Sequence, residues 1–209
     1  MTSTEEYRQY LEACPLVGII RGVTPDEVDE IGQAIFDAGI RIIEVPLNSP
    51  DPFKSIQLLA DRLGDRALIG AGTVLEADQV AEVKAAGGRL IVSPNTNPAV
   101  IRATVAAGLI SSPGYFTPSE AFTAIEAGAH ALKFFPAEAS TPAVIKAQRA
   151  VLPSQIPLVV VGGIRPDTTL PWLEAGANGL GLGSGLYVAG QSPTVTVEKA
   201  RAFVAGLGR

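Results

Sequence analysis

Cysteine and histidine are nearly missing from this chain of 209 residues, with one of each, Cys14 and His130. A single cysteine excludes an intramolecular disulfide and any cysteine-rich metal site. One histidine leaves no set for a histidine-rich zinc centre and argues against a Ser-His-Asp triad. Basic excess is also missing. The net charge of −5 offers no electrostatic footprint for nucleic acid. A small anionic substrate would therefore need locally placed positive groups rather than a general field. No apolar run is long enough to span a bilayer. The N-terminal "MTSTEEYRQYLEACP" is acidic and lacks the basic region and apolar core of a secretory signal. No membrane partner is expected, and a cytoplasmic location is the default expectation.

What is present is apolar and regular. Hydrophobic residues make up 47% of the chain and charged residues 18%, a composition that can bury a core. Eight short apolar runs recur: "LVGIIRG", "RIIEVPL", "ALIGAGT", "RLIVSP", "GLISSPG", "HALKFFP", "PLVVVGG" and "GLGLGSG". Each has the length of a strand and the continuous Ile/Val/Leu content of strands buried on both faces. Between them lie Ala-rich segments of helical period. Many open on Thr-Pro, Ser-Pro or Asn-Pro, an N-cap followed by proline at the first helical position. Many close on "AG", a glycine C-cap. The repeat length, roughly 20 to 27 residues, is that of one strand plus one helix.

Eight such units predict an α/β fold, a closed parallel (β/α)8 barrel spanning residues 1–209 as one domain. A short leading helix near residues 3 to 13 is placed to close the barrel bottom. A doubly wound open sheet is the rival, but no GxGxxG follows the first strand, and "GLGLGSG" lies at the last one.

Barrel enzymes collect their functional groups at the C-terminal strand ends. Applied here, that rule selects Arg21, Glu44, Thr73, Ser93 with Asn95, Lys133 and Ser184, and the glycines of "VGGIRP" and "GLGSG". Lys133, inside "HALKFFPAE", has two readings. Its stem packs while its ammonium reaches solvent, or burial lowers its pKa and makes it an amine nucleophile toward a ketone. Strand alternation puts Phe135 on the same inward face as Lys133. Glu44 is a structural ion-pair partner or the proton shuttle that Schiff-base chemistry needs. Arg21 is a loop arginine or a bidentate partner for a carboxylate. Thr73 is a helix cap or a hydroxyl donor to that carboxylate. Glycine-rich ends on the last two strands suit phosphate, which many barrels bind at those loops. Arg165 stands close enough to assist. His130 is a strand-start residue near the barrel bottom.

Taken in order, "EVPLNSP", "LIGAGTV", "IVSPN", "LKFFPAE", "VGGIRP" and "GLGSGLY" resemble the 2-keto-3-deoxy-6-phosphogluconate/6-phosphogalactonate aldolases, from about residue 15 to about residue 205. The resemblance implies a class I aldolase on a (β/α)8 barrel, a homotrimer that needs no cofactor or metal. It makes Lys133 the Schiff-base lysine and Glu44 the proton donor and acceptor. It gives Thr73 the pyruvate-derived carboxylate, and Gly162, Gly163, Gly183 and Ser184 the phosphate of a small phosphorylated keto acid.

Three departures from the gluconate-type pattern point to the galactonate branch. Asn48 stands where that pattern has an arginine, Val161 where it has threonine, and "IIRGVTPDE" supplies Arg21. Arg21 is accordingly expected to meet the substrate carboxylate. The implied substrate is 2-dehydro-3-deoxy-6-phosphogalactonate, with the gluconate epimer as the alternative. A phosphosugar isomerase or epimerase would share the phosphate loops without needing the amine. A non-catalytic phosphosugar-binding protein would tolerate loss of Glu44.

Overall fold

The computed structural model describes residues 2–208. All eight apolar runs contain strand. In chain order these are β1 (Leu16–Ile19), β2 (Ile42–Pro46), β3 (Leu68–Gly72), β4 (Leu90–Val92), β5 (Ile110–Ser112), β6 (Gly114–Tyr115), β7 (Leu132–Phe134), β8 (Leu158–Val161) and β9 (Gly179–Leu182). The helices are α1 (Ser3–Ala13), α2 (Pro25–Asp37), α3 (Pro52–Leu63), α4 (Gln79–Ala85), α5 (Pro98–Ala106), α6 (Pro118–Glu126), α7 (Pro142–Arg149), α8 (Thr169–Glu174) and α9 (Pro193–Ala205).

Every strand pairing is parallel, and the order is β5-β4-β3-β2-β1-β9-β8-β7-β6. The two ends of that order, β5 and β6, are joined by one residue, Pro113. They are two halves of the fifth strand of an eight-position barrel, so the ring closes through the proline. Pro113 has no N–H to give to a ladder, which splits the strand there. Its carbonyl still accepts from Lys133 N–H at 2.9 Å.

Local chemistry explains the helix boundaries. Proline follows the N-cap in α2, α5, α6, α7 and α9. At α6, Glu120 accepts from Thr117 N–H at 2.7 Å, and Thr117 Oγ1 accepts from Glu120 N–H at 3.4 Å. That reciprocal pair satisfies two amides the helix itself leaves open. At the other end, the glycine of the "AG" closures turns the chain back toward the next strand. Gly39 and Gly128 do so at φ of 107° and 99°, where an L side chain is strained.

Inward-facing positions form a separate inner core: Val17 and Ile19, Ile42, Leu68, Leu90 and Val92, Ile110, Ala131, Val159 and Val161. They alternate along the strands, as the two-residue period of a strand requires. Glu44 and Lys133 share this inward parity. Tyr7 and Leu11 of α1 belong to the same inner core, so the leading helix plugs the barrel from its N-terminal end. Outside the helix–barrel seam, Arg89 anchors α1 by pairing with Glu6 at 2.5 Å and donating to Tyr10 Oη at 3.1 Å.

Candidate active site

The C-terminal mouth opens into a cavity of about 650 Å³. Arg21, Thr73, Lys133, Gly162, Gly163, Gly183 and Ser184 all line it. Residues more than a hundred positions apart therefore face one space, as barrel closure requires. Glu44 lies deeper. It borders a much smaller void of about 10 Å³ beneath the cavity floor, together with Lys133, Tyr7 and Ser112. Lys133 borders both spaces, as do Ile19 and Val161.

Glu44 and Lys133 are not at their strand ends. Glu44 is the middle residue of β2, in register with Ile19 of β1 and Gly70 of β3. Lys133 is the middle residue of β7, in register with Val159. That depth buries them: Glu44 is 2% exposed and Lys133 7%. Burial dominates both titrations. It pushes the Glu44 carboxyl up from its usual range, opposed by the charges of Lys133 and Arg21. It pushes the Lys133 amine down, opposed by Glu44 and reinforced by Arg21. Each group is moved toward its neutral form, so the amine gains the free electron pair a nucleophile needs.

The surroundings of the pair are specific. Phe135 places its ring 5.2 Å from Lys133 Nζ and packs against the inner core. Phe134 faces outward, stacked on Phe116 with ring centroids 5.1 Å apart. Strand alternation alone separates the two phenylalanines. Gly72 is the room-maker for Glu44: a Cβ at that position would overlap the Glu44 carboxylate.

Arg21 follows β1 and is exposed to the cavity. Its guanidinium donates to Asn48 Oδ1 and, at 3.3 Å, to Thr73 Oγ1. Asn48 thus aims the arginine across the mouth. Thr73 holds φ at 55°, a left-handed conformation that a β-branched residue adopts at a cost of about 1–3 kcal/mol. It is not a helix cap; its hydroxyl turns to Arg21.

Beyond β8, Gly162 and Gly163 take φ of 118° and 62°. Glu138, which also lines the cavity, lies where a Cβ on either would go. After β9, Gly183, Ser184 and Gly185 make a tight turn whose Gly183 carbonyl accepts from Leu186 and Tyr187 N–H at 2.9 and 3.1 Å. Turns of this kind present backbone dipoles to an anion. Arg165 lines the same wall and bonds Asp167 at 3.1 Å.

Two strand-end residues selected from the sequence lie elsewhere. Ser93 is buried, and its hydroxyl donates to the Val74 carbonyl at 2.7 Å, fastening the loop after β3. Asn95 does not line the cavity, whereas its neighbour Pro94 does. His130 precedes β7, and its Nδ1 accepts from Ser111 N–H at 3.0 Å. Among the described residues, no three His, Cys, Asp or Glu side chains gather as a metal-ligand set, and no helix is long and apolar enough to cross a membrane.

Comparison with known proteins agrees with this geometry. Residues 8–198 match the family described as "Aldolase: KDPG and KHG aldolase". The chain belongs to the KDPG and KHG aldolase family. It is 50% identical over 196 residues to 2-dehydro-3-deoxy-6-phosphogalactonate aldolase of Escherichia coli strain K12, covering 94% of this chain and 96% of that one. A solved structure titled "Native KDPGal structure" superposes with a TM-score of 0.91 at 50% identity, covering 93% of this chain and 94% of its own. KDPG aldolase from Legionella pneumophila, solved with pyruvate captured as a covalent carbinolamine, superposes with a TM-score of 0.80 at 28% identity, covering 94% and 97%. The barrel, with its alternating helices, is therefore this family's fold, and lyase activity is what the curated relatives of this aldolase carry.

Proposed function

We propose that this aldolase cleaves 2-dehydro-3-deoxy-6-phosphogalactonate to pyruvate and glyceraldehyde 3-phosphate through a Schiff base on Lys133. The observation that carries the reading is the buried Lys133–Glu44 pair at the floor of a cavity whose rim presents Arg21, Thr73 and glycine-rich turns. An amine shifted toward its neutral form by burial, with a carboxyl beside it shifted toward holding its proton, is what ketone condensation needs.

The steps follow from that placement. Lys133 Nζ attacks carbon 2, the C–N bond forms, and the carbonyl oxygen takes a proton. Loss of water, with proton movement by Glu44, leaves the iminium. As the carbon-4 hydroxyl gives its proton to Glu44 through a water, the bond between carbons 3 and 4 breaks. Its electrons flow into the iminium, giving the enamine, and glyceraldehyde 3-phosphate departs as the aldehyde. Protonation of the enamine at carbon 3, with Glu44 as the proton source, and hydrolysis of the iminium release pyruvate and restore the amine. Arg21 and Thr73 hold the carboxylate. Gly162, Gly163, Gly183 and Ser184 hold the phosphate far from the reacting bond, where it supplies orientation.

The Legionella carbinolamine and the name of the Escherichia coli relative support the chemistry and the galactonate substrate, respectively. Asn48 supports the same branch, because it stands where the gluconate-type pattern has an arginine and here accepts a hydrogen bond from Arg21. The reading includes one domain over residues 1–209, assembled as a cytoplasmic homotrimer.

The test is pyruvate with borohydride. Reduction should fix a pyruvate-derived mass on Lys133, found by peptide mass spectrometry. Lys133→Ala should take up none. Cleavage by Lys133→Ala at near wild-type rate would overturn the assignment. Assay of both epimers on the same preparation decides the branch, and a higher kcat/KM for the gluconate epimer would reverse it.

A further inference from the structure

The floor of the barrel carries a polar group that the chemistry above leaves unused. Tyr7 comes from α1, outside the barrel, yet its side chain rises into the inner core and is 1% exposed. Its hydroxyl is close enough to the Ser112 side chain, at the end of β5, and to the Glu44 carboxyl for both to act on its proton. Tyr7, Ser112, Glu44 and Lys133 border the same small void beneath the active site. All else around that void is apolar: Val17, Ile19, Val92, Val159, Val161 and Gly181. A void of about 10 Å³ is close to the smallest that admits one water molecule, and such a water needs two to four polar partners. These side chains supply that number.

We propose that Tyr7 is a positioning residue for Glu44, holding its carboxylate from below through Ser112 and a single water. The inference rests on the reading of Glu44 as the acid/base. A phenol buried beside a carboxylate stays protonated, since both burial and the neighbouring charge keep its proton on. It therefore acts as a donor, and donors toward a carboxylate favour the charged form. The phenol and the buried surroundings act on Glu44 in opposite directions, and the balance leaves the carboxyl able to both take and give a proton. The other charged groups facing Glu44 are Lys133 from β7 and Arg21 after β1. Arg21 lines the cavity above and Lys133 borders both spaces, so Tyr7 is the polar group that approaches from the leading helix at the floor.

The experiment is a set of pH profiles of kcat and kcat/KM for the full-length enzyme. Tyr7→Phe keeps the ring that fills the floor and removes the hydroxyl. Without that donor, Glu44 holds its proton to higher pH, so the acid limb should move up by about one pH unit, the scale of one hydrogen bond to a charged group. Ser112→Ala should move it in the same direction. Tyr10→Phe is the control. It removes a hydroxyl from the same helix, but one bonded to Arg89 outside the barrel, and its limb should coincide with wild type. A purely structural role for Tyr7 would lower the melting temperature and leave the limb in place. A Tyr7→Phe limb superimposed on wild type overturns the proposal. Should Tyr7→Phe fail to fold, an unmoved limb in Ser112→Ala overturns it equally. Glu44→Gln separates the two readings. If it abolishes the acid limb, Glu44 is the titrating group, and the Tyr7 result stands or falls alone. If it retains wild-type turnover and the same limb, the role of Glu44 fails and the Tyr7 proposal with it.

Discussion

Gly72 has no side chain at the place where Glu44 has its carboxylate. The two residues lie on adjacent strands, and a single methyl group on β3 would occupy the space of the Glu44 carboxylate, the proposed acid/base group, on β2. Gly72→Ala should therefore displace Glu44 while changing one carbon in the barrel wall. Overpacking of this kind costs about 1–3 kcal/mol. The expected result is a lower melting temperature together with a fall in kcat of about two to four orders of magnitude, the range for losing general acid/base function. Thermal melts and steady-state kinetics on the same sample measure both.

Burial of Lys133 gives a pH dependence with a definite sign. The amine is held below its usual range, so the unfolded chain binds more protons here than the folded one in the interval up to the ordinary lysine value. The rate of borohydride trapping with pyruvate should climb with pH and reach half its plateau below the pKa of a free lysine. Arg21 contributes to that depression as a like charge. In Arg21→Gln the trapping limb should move to higher pH, toward the free-lysine value. The same variant should raise KM for the keto acid by about tenfold to a hundredfold, as expected for loss of a charge-assisted bond.

Asn48 acts through Arg21. Asn48→Ala removes the acceptor that aims the guanidinium but leaves the charge in place. KM should rise by several-fold, less than in Arg21→Gln, and kcat should change little. An equal effect of the two substitutions would mean that Asn48 itself contacts substrate.

The turns proposed to hold phosphate can be probed without disturbing the lysine. A Cβ on Gly183 would meet no atom within 4 Å, and its backbone needs no left-handed φ. Gly183→Ala should fold normally and project a methyl group into the cavity. Pyruvate trapping on Lys133 should be unaffected. KM for the phosphorylated substrate should rise by about tenfold or more, the scale of one misplaced methyl in a fitted site. Trapping mass spectra and cleavage kinetics make the comparison.

Function is bought here with stability. Burying two ionisable groups costs desolvation, and replacing such a couple by neutral groups of like volume often raises stability by about 1–4 kcal/mol. The double variant Lys133→Met/Glu44→Gln should be inactive and melt higher than wild type. Lys133→Met alone removes the charge that offsets the burial of Glu44 and should melt lower than the double variant.

Much of this was legible in the chain. Thr-Pro openings and "AG" closures are local chemistry, since a cap and a left-handed glycine act within one turn, and they located the helices between apolar runs. Lys133 and Glu44 stood out because a charge in an apolar strand needs a reason, and the parity of the strand turned both inward. "GLISSPG" was legible as a strand, but its split at Pro113 was not, because the missing N–H matters only once a particular neighbour asks for it.

What the sequence by itself determined is the repeating strand–helix order and the type of chemistry each strand carries, because propensity, capping and two-residue alternation act between near neighbours. The tertiary structure alone decided depth and partnership. It set Glu44 mid-strand rather than at the rim, cleared a place for it at Gly72, turned Arg21 onto Asn48 and Thr73, and drove Tyr7 up through the floor toward a carboxylate 37 positions away. Those relationships depend on ring closure and strand register, which bring residues together irrespective of their separation in the chain.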